Sequence, residues 1–192
     1  MRLIRLLPIL ALAGAAVGLM AQSAFSQASS SYGTSHARAA SRLKYAKSSG
    51  TPKPFGSFGD WTAVIRTEAG RPECYTFTRP LASAPTLPSR GDVFFTITES
   101  AKLRDSVALT AGFAYPAGAE AAVTVGNDKF DFYTSGRSAF ARDGAALITS
   151  FAKGSDATVV SPTRGGGSVT DHFSLTGFSA AMKAVLAKCP GK

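Results

Sequence analysis

Asp92-Val93-Phe94-Phe95-Thr96-Ile97-Thr98 is the stretch that decides the fold class. Successive side chains on a strand point to opposite faces, so Val93, Phe95 and Ile97 share one face and Phe94 stands on the other. A strand that is apolar on both faces belongs in the middle of a sheet. Outward from it, short segments of alternating or continuous apolar character recur roughly every ten residues. They cover 61–66, 74–78, 107–112 and 120–125 on either side, then 129–133, 138–142, 157–161 and 169–175, which makes nine strands in all. Turn chemistry separates them: Gly126-Asn127-Asp128 fits a hairpin loop, and Thr163-Arg164-Gly165-Gly166-Gly167 a flexible connection before the last strand. The pattern predicts a mainly β protein, an immunoglobulin-like antiparallel β-sandwich with one or two short helices.

The helices stand out by their period. Asp143 is placed to cap a short helix whose Leu147, Ile148 and Phe151 form an apolar stripe. A C-terminal helix is expected from Ser179, as N-cap, to Lys188, with Met182, Val185 and Leu186 on one face. Lys188 complements its negative end, and Pro190 stops it.

With 45% hydrophobic residues, 13 Phe and 192 residues in total, the chain can build one core, which excludes a wholly disordered protein. Two His and two Cys are too few for a zinc site of the usual spacing, and no cofactor is expected. Arg2 and Arg5 precede an uncharged apolar run from Leu6 to Met20, and Ser26-Gln27-Ala28 offers small residues where a signal peptidase reads. A run of about 15 residues is shorter than the roughly 20 that span a bilayer. Residues 1–28 are therefore expected to be a Sec-type signal peptide, with cleavage after Ser23 as the alternative to Ala28. With no Cys in the first 73 residues the protein is not a lipoprotein. The expected address is the periplasm or the exterior, including the outer-membrane surface.

Residues 29–54 are Ser- and Ala-rich and carry Arg38, Arg42, Lys44, Lys47 and Lys53 with no acidic residue, the composition of a disordered basic linker. The remaining 55–192 hold 14 basic against 12 acidic residues, so most of the formal +9 belongs to the N-terminal segments. The five linker charges are expected to give weak contact with anionic membranes, and the domain to add little. Nucleic acid is not an expected partner of an exported chain, and Tyr32 and Tyr45 are too few to stack bases.

Cys74 and Cys189 form an even count in an exported chain and are read as one disulfide joining an early strand to the C-terminal helix. A redox pair would want a C-x-x-C spacing, which is absent.

Phe58-Gly59-Asp60-Trp61, Cys74-Tyr75, Arg79-Pro80 and Arg90-Gly91-Asp92-Val93-Phe94-Phe95, followed by Asp171-His172-Phe173-Ser174-Leu175-Thr176-Gly177-Phe178-Ser179-Ala180-Ala181 and Cys189-Pro190, run in an order that resembles the invasion-associated locus B family of exported alphaproteobacterial proteins. The likeness spans residues 55 to 190. Asp105-Ser106-Val107-Ala108 and Phe140 depart from the family pattern. The resemblance implies an envelope-associated β-sandwich with a disulfide, implicated in host-cell invasion. It brings no catalytic residues.

The remaining constellations are read as structure. Asp171 and His172 are strand neighbours that face opposite ways, so the carboxylate cannot orient the imidazole. His36 lies in the linker. Gly177-Phe178-Ser179-Ala180-Ala181 lacks the second glycine of a nucleophile elbow and no His follows it. Gly165 to Gly167 lack the Lys and following helix of a phosphate loop. The carboxylates Asp128 with Asp131 and Asp60 with Glu68 read as solvated, Trp61 as core, and Arg90-Gly91-Asp92 as a turn rather than an integrin-type loop. The expectation is a non-enzymatic exported protein that binds an unknown envelope or host-surface partner. A small-molecule or lipid carrier using the space between sheets is the alternative.

Overall fold

Phe95 and Ile97 turn fully inward and Phe94 outward on a strand with neighbours on both sides, as the alternation requires. The computed structural model describes residues 50–190. The proposed signal peptide and the linker up to residue 49 lie outside the described residues. In chain order the elements are β1 (Lys53–Phe58), β2 (Trp61–Glu68), β3 (Arg71–Thr78), β4 (Ala82–Ala84), β5 (Phe94–Ser100), β6 (Ser106–Thr110) and β7 (Glu120–Val125). Then follow β8 (Asp128–Ser135), β9 (Ser138–Ala141), α1 (Gly144–Phe151), β10 (Asp156–Pro162), β11 (Ser168–Ser174) and α2 (Phe178–Lys188).

All pairings are antiparallel and form one continuous sheet in the order β1-β2-β3-β5-β6-β9-β8-β7-β10-β11-β4. The sheet doubles over, so that Phe95 of β5 meets Phe173 of β11 at 5.2 Å and Phe132 of β8 at 6.0 Å. Two layers thus share one core, and the indole of Trp61 on β2 donates to the Ser174 carbonyl at the end of β11, 3.1 Å away. Trp61 also packs edge-on against Phe178 of α2, 4.9 Å between centroids, and is completely buried. Such edge-to-face pairs match ring edges to ring faces and add to the burial of apolar area.

All nine predicted strands are present, and two were not legible. β1 opens inside the stretch assigned to the linker: Lys53 and Pro54 pair with Ile65 and Val64, and Gly50 N–H donates to Thr67 O at 2.7 Å. Pro54 within it, Pro52 just before it and a register shift between Pro54 and Gly56 hide the strand period. β4 has three residues between Pro80 and Pro85, too few for any period. These are the sheet's two edges, and shortness, proline and a bulge are the devices that discourage edge-to-edge association.

α1 is capped as expected, Asp143 accepting from Ala146 N–H at 2.9 Å. α2 corrects the reading of its start. Its N-cap is Gly177, not Ser179, with φ 89° and no side-chain cap bond. A Cβ there would stand 2.0 Å from Phe58 O, so close packing against the β1–β2 turn overrides capping preference. The buried stripe is Phe178, Ala181, Met182 and Val185, at helical spacing, while Leu186 faces outward at 38% exposure.

Candidate functional site

Cys74 and Cys189 meet as predicted, joined by a disulfide with Cα atoms 5.9 Å apart, and form a small core with Ala63 and Val185 that fastens α2 under β2 and β3. Of the basic residues expected to touch anionic surfaces, Lys53 lies exposed on β1. Arg38, Arg42, Lys44 and Lys47 fall outside the described residues.

The sequence placed Asp171 and His172 on opposite faces, and they are. His172 is exposed and shares a 3.1 Å hydrogen bond with Thr158, while Asp171 is fully buried. What the sequence did not reveal is the partner of Asp171. Arg90, 81 residues away, clasps both its oxygens at 2.8 and 2.7 Å, Ser83 donates to it at 2.6 Å, and Arg90 Nε holds Ala111 O at 2.8 Å. Arg90 therefore belongs to the interior. Asp92 pairs with Arg79 at 2.9 Å, and Gly91 packs on Gly112 through a 2.9 Å N–H···O bond, so the Arg90-Gly91-Asp92 triplet is structural. Ser179 is an exposed residue in the first turn of α2, and Gly165 to Gly167 form the β10–β11 turn. Asp128 accepts from Ser150 at 2.8 Å and Asp131 is exposed. Among the described residues, no three His, Cys, Asp or Glu side chains converge where a metal could sit.

A second buried carboxylate closes the other end of the sheet. Glu99 is fully buried on the inner face of β5; Asp105 N–H donates to its Oε1 at 3.1 Å, and Arg104 Nη1 stands 3.0 Å from Oε2 without hydrogen-bond alignment. Burial pushes its carboxyl above the usual glutamate range. The Asp105 carboxylate works the same way, and the Asp105 N–H and Arg104 oppose it. A group that binds its proton more tightly folded than unfolded gives stability as pH falls through its raised value and none further below its unfolded value. On acidification from neutrality the wild type should therefore gain thermal stability relative to Glu99→Gln. Parallel melting temperatures of the two proteins across that interval would contradict it.

The outer face of the first layer carries the most distinctive surface. Tyr75 and Phe77 of β3 and Phe94 of β5 form a row of half-buried rings with centroids 6.3 and 5.8 Å apart. Arg66 covers the Tyr75 end at 6.0 Å and Arg79 the Phe94 end at 4.3 Å. Each guanidinium is also neutralised, by Glu73 at 2.7 Å and Asp92 at 2.9 Å. Burial raises the Tyr75 phenol, Arg66 lowers it and Glu73 raises it. Thr96 and Thr98 lie beside the row on β5. It ends in two open hollows, one of about 460 Å³ by Glu73, Ser100 and Leu103, the other of about 420 Å³ by Phe77, Pro80 and Leu81. The i, i+2 spacing of Tyr75 and Phe77 puts two of the three rings on one strand face; Phe94 joins them only through the β3–β5 register.

The architecture is that of a disulfide-closed, mainly antiparallel β-protein with a C-terminal helix fastened to its first strands. The chain belongs to the invasion associated locus B (IalB) protein family, whose model matches residues 61–186. Among solved structures, the crystal structure of invasion associated protein B from Bartonella henselae is similar, with a TM-score of 0.52 at 16% identity over 69% of this chain and 95% of that one, a likeness of fold. No curated protein matches the sequence.

Proposed function

We infer that this is an exported, non-enzymatic binding protein of the invasion-associated type, and that it meets a protein partner on a host or envelope surface through the outer face of β3 and β5. The row Tyr75, Phe77, Phe94, capped by Arg66 and Arg79, carries this reading. Aromatic and arginine side chains are the residues enriched at protein interface centres, because they bury large area with few rotors. Charges neutralised in advance lower the desolvation that contact requires. The carrier alternative finds less support, since Trp61, Phe95, Phe132, Phe151 and Phe173 fill the space between the layers.

Phe77→Ser with Phe94→Ser should reduce saturable binding of the purified protein to host cells or to isolated envelopes by about tenfold or more, the loss of one interface hot spot. Its melting temperature should fall only modestly, because both rings face outward. Unchanged binding on both surfaces would overturn the assignment.

A further inference from the structure

Three loops converge where β6, β8 and β10 end, and an arginine reaches into the first of them from each side. In the β6–β7 loop, Ala111 O accepts from Arg90, Gly112 O from Arg137 Nη2, and Tyr115 O from Arg164 Nε at 3.4 Å. Backbone bonds fix the same loop to the β8–β9 turn: Ala111 N–H to Arg137 O at 3.0 Å and Tyr115 N–H to Gly136 O at 2.9 Å. Gly112 is required here, at φ 78°, since a Cβ would stand 2.4 Å from Gly91 O.

Arg90 is neutralised by Asp171. Arg137 and Arg164 are exposed, and among the described residues neither has a carboxylate within ion-pair distance. A guanidinium carries five N–H donors, and one on each is held by a backbone carbonyl, so the side chain is aimed while the rest of the fork is free. Among the described residues, the acids without an ion-pair partner gather elsewhere. Glu68, Asp105, Asp128, Asp143 and Asp156 lie at or beside the turns of the opposite strand ends. Asp131 is within β8, and Asp60 lies in the β1–β2 turn, where its N–H donates to Thr176 O at 3.1 Å, just past the end of β11 opposite the turn that holds Arg164. Arg71, Lys102, Lys129 and Lys153 stand among those acids, so the opposite ends are nearly balanced, while the loop end keeps two guanidiniums without a counter-charge among the described residues.

We propose that the loop end bearing Arg137 and Arg164 is a docking face for the anionic phospholipid leaflet of a membrane. Charge complementarity carries the choice: the two fixed guanidiniums have the same sign as Arg38, Arg42, Lys44 and Lys47, and residues 1–49 contain no acid. A laterally extended surface can engage both sets at once, which a small soluble anion cannot. Half-buried Leu87 and Phe113 on the adjoining loops supply the apolar neighbours that suit a headgroup boundary.

The test uses the exported full chain with vesicles of phosphatidylglycerol and phosphatidylcholine at low salt. Arg137→Gln with Arg164→Gln should weaken partitioning about tenfold or more, since each basic residue at such a surface contributes about fivefold. Lys183→Gln with Lys188→Gln, exposed on α2, removes equal charge and should change it less than about twofold. Arg137→Lys with Arg164→Lys should retain most of the binding, and melting temperatures would separate misfolding from lost contact. Equal losses for the two Gln pairs, or no loss for the arginine pair, would overturn the proposal. So would loss of binding to a soluble sulfated polysaccharide with vesicle binding intact, which would assign the face to a polysaccharide.

Discussion

Replacing Asp171 by Ala is expected to destabilise the domain by about 3–5 kcal/mol, the usual consequence of leaving one member of a buried ion pair alone. Arg90 is 10% exposed at the side chain and Asp171 not at all, so water cannot take over the carboxylate's place. Ser83 loses its acceptor in the same change, and with it the tie that reinforces β4 on β11. Against a typical domain stability of about 5–15 kcal/mol this is a large share, enough to lower the melting temperature by about 10 °C or more. Replacing the pair together, Arg90→Met with Asp171→Leu, should restore much of the loss, because two apolar side chains leave no buried charge behind. Thermal and urea unfolding of the single and paired variants measure the coupling. Additive losses, with the pair no better than Asp171→Ala, would sink this account.

Removing the disulfide is expected to have an effect of the same order. Cys74 and Cys189 are 115 residues apart, and closing so long a loop restricts the unfolded chain by about 4–5 kcal/mol on the entropic model, with 2–5 kcal/mol the usual range for native disulfides. Cys74→Ala with Cys189→Ala should therefore lower the urea midpoint substantially. The first part to loosen should be α2, since its Val185 and Cys189 share a small core with Ala63 and Cys74. Trp61 is the only tryptophan in the chain and touches Phe178 of α2, so its fluorescence reports both global unfolding and undocking of the helix. A variant with the wild-type midpoint would show that the noncovalent contacts of α2 suffice.

The loop-end arginines and the outer aromatic row are separate surfaces with separate tests. Phe77 and Phe94 lie on the outward face of the first layer, whereas Arg137 and Arg164 sit in turns where strands of the second layer end. Loss of cell binding with vesicle binding intact, or the reverse, would therefore assign each activity to its own surface.

Local pattern was enough wherever the signal is local. Alternation in 92–98 placed Phe95 and Ile97 inside and Phe94 outside, the turn expected at Gly126-Asn127-Asp128 separates β7 from β8 with Asp128 already in β8, Asp143 capped α1, and the two cysteines had only each other to pair with. Pattern failed for β1 and β4, where proline, a bulge and shortness erase the period, and for the start of α2, where a close approach to Phe58 demands glycine. The joining of Arg90 to Asp171, the burial of Glu99 beneath Asp105, the union of Phe94 with Tyr75 and Phe77, and the convergence of Arg137 and Arg164 on one loop were decided by tertiary structure alone. Each depends on strand order and register, which bring side chains from distant parts of the chain to one place. A strand's period says which face a residue occupies but not what stands opposite it.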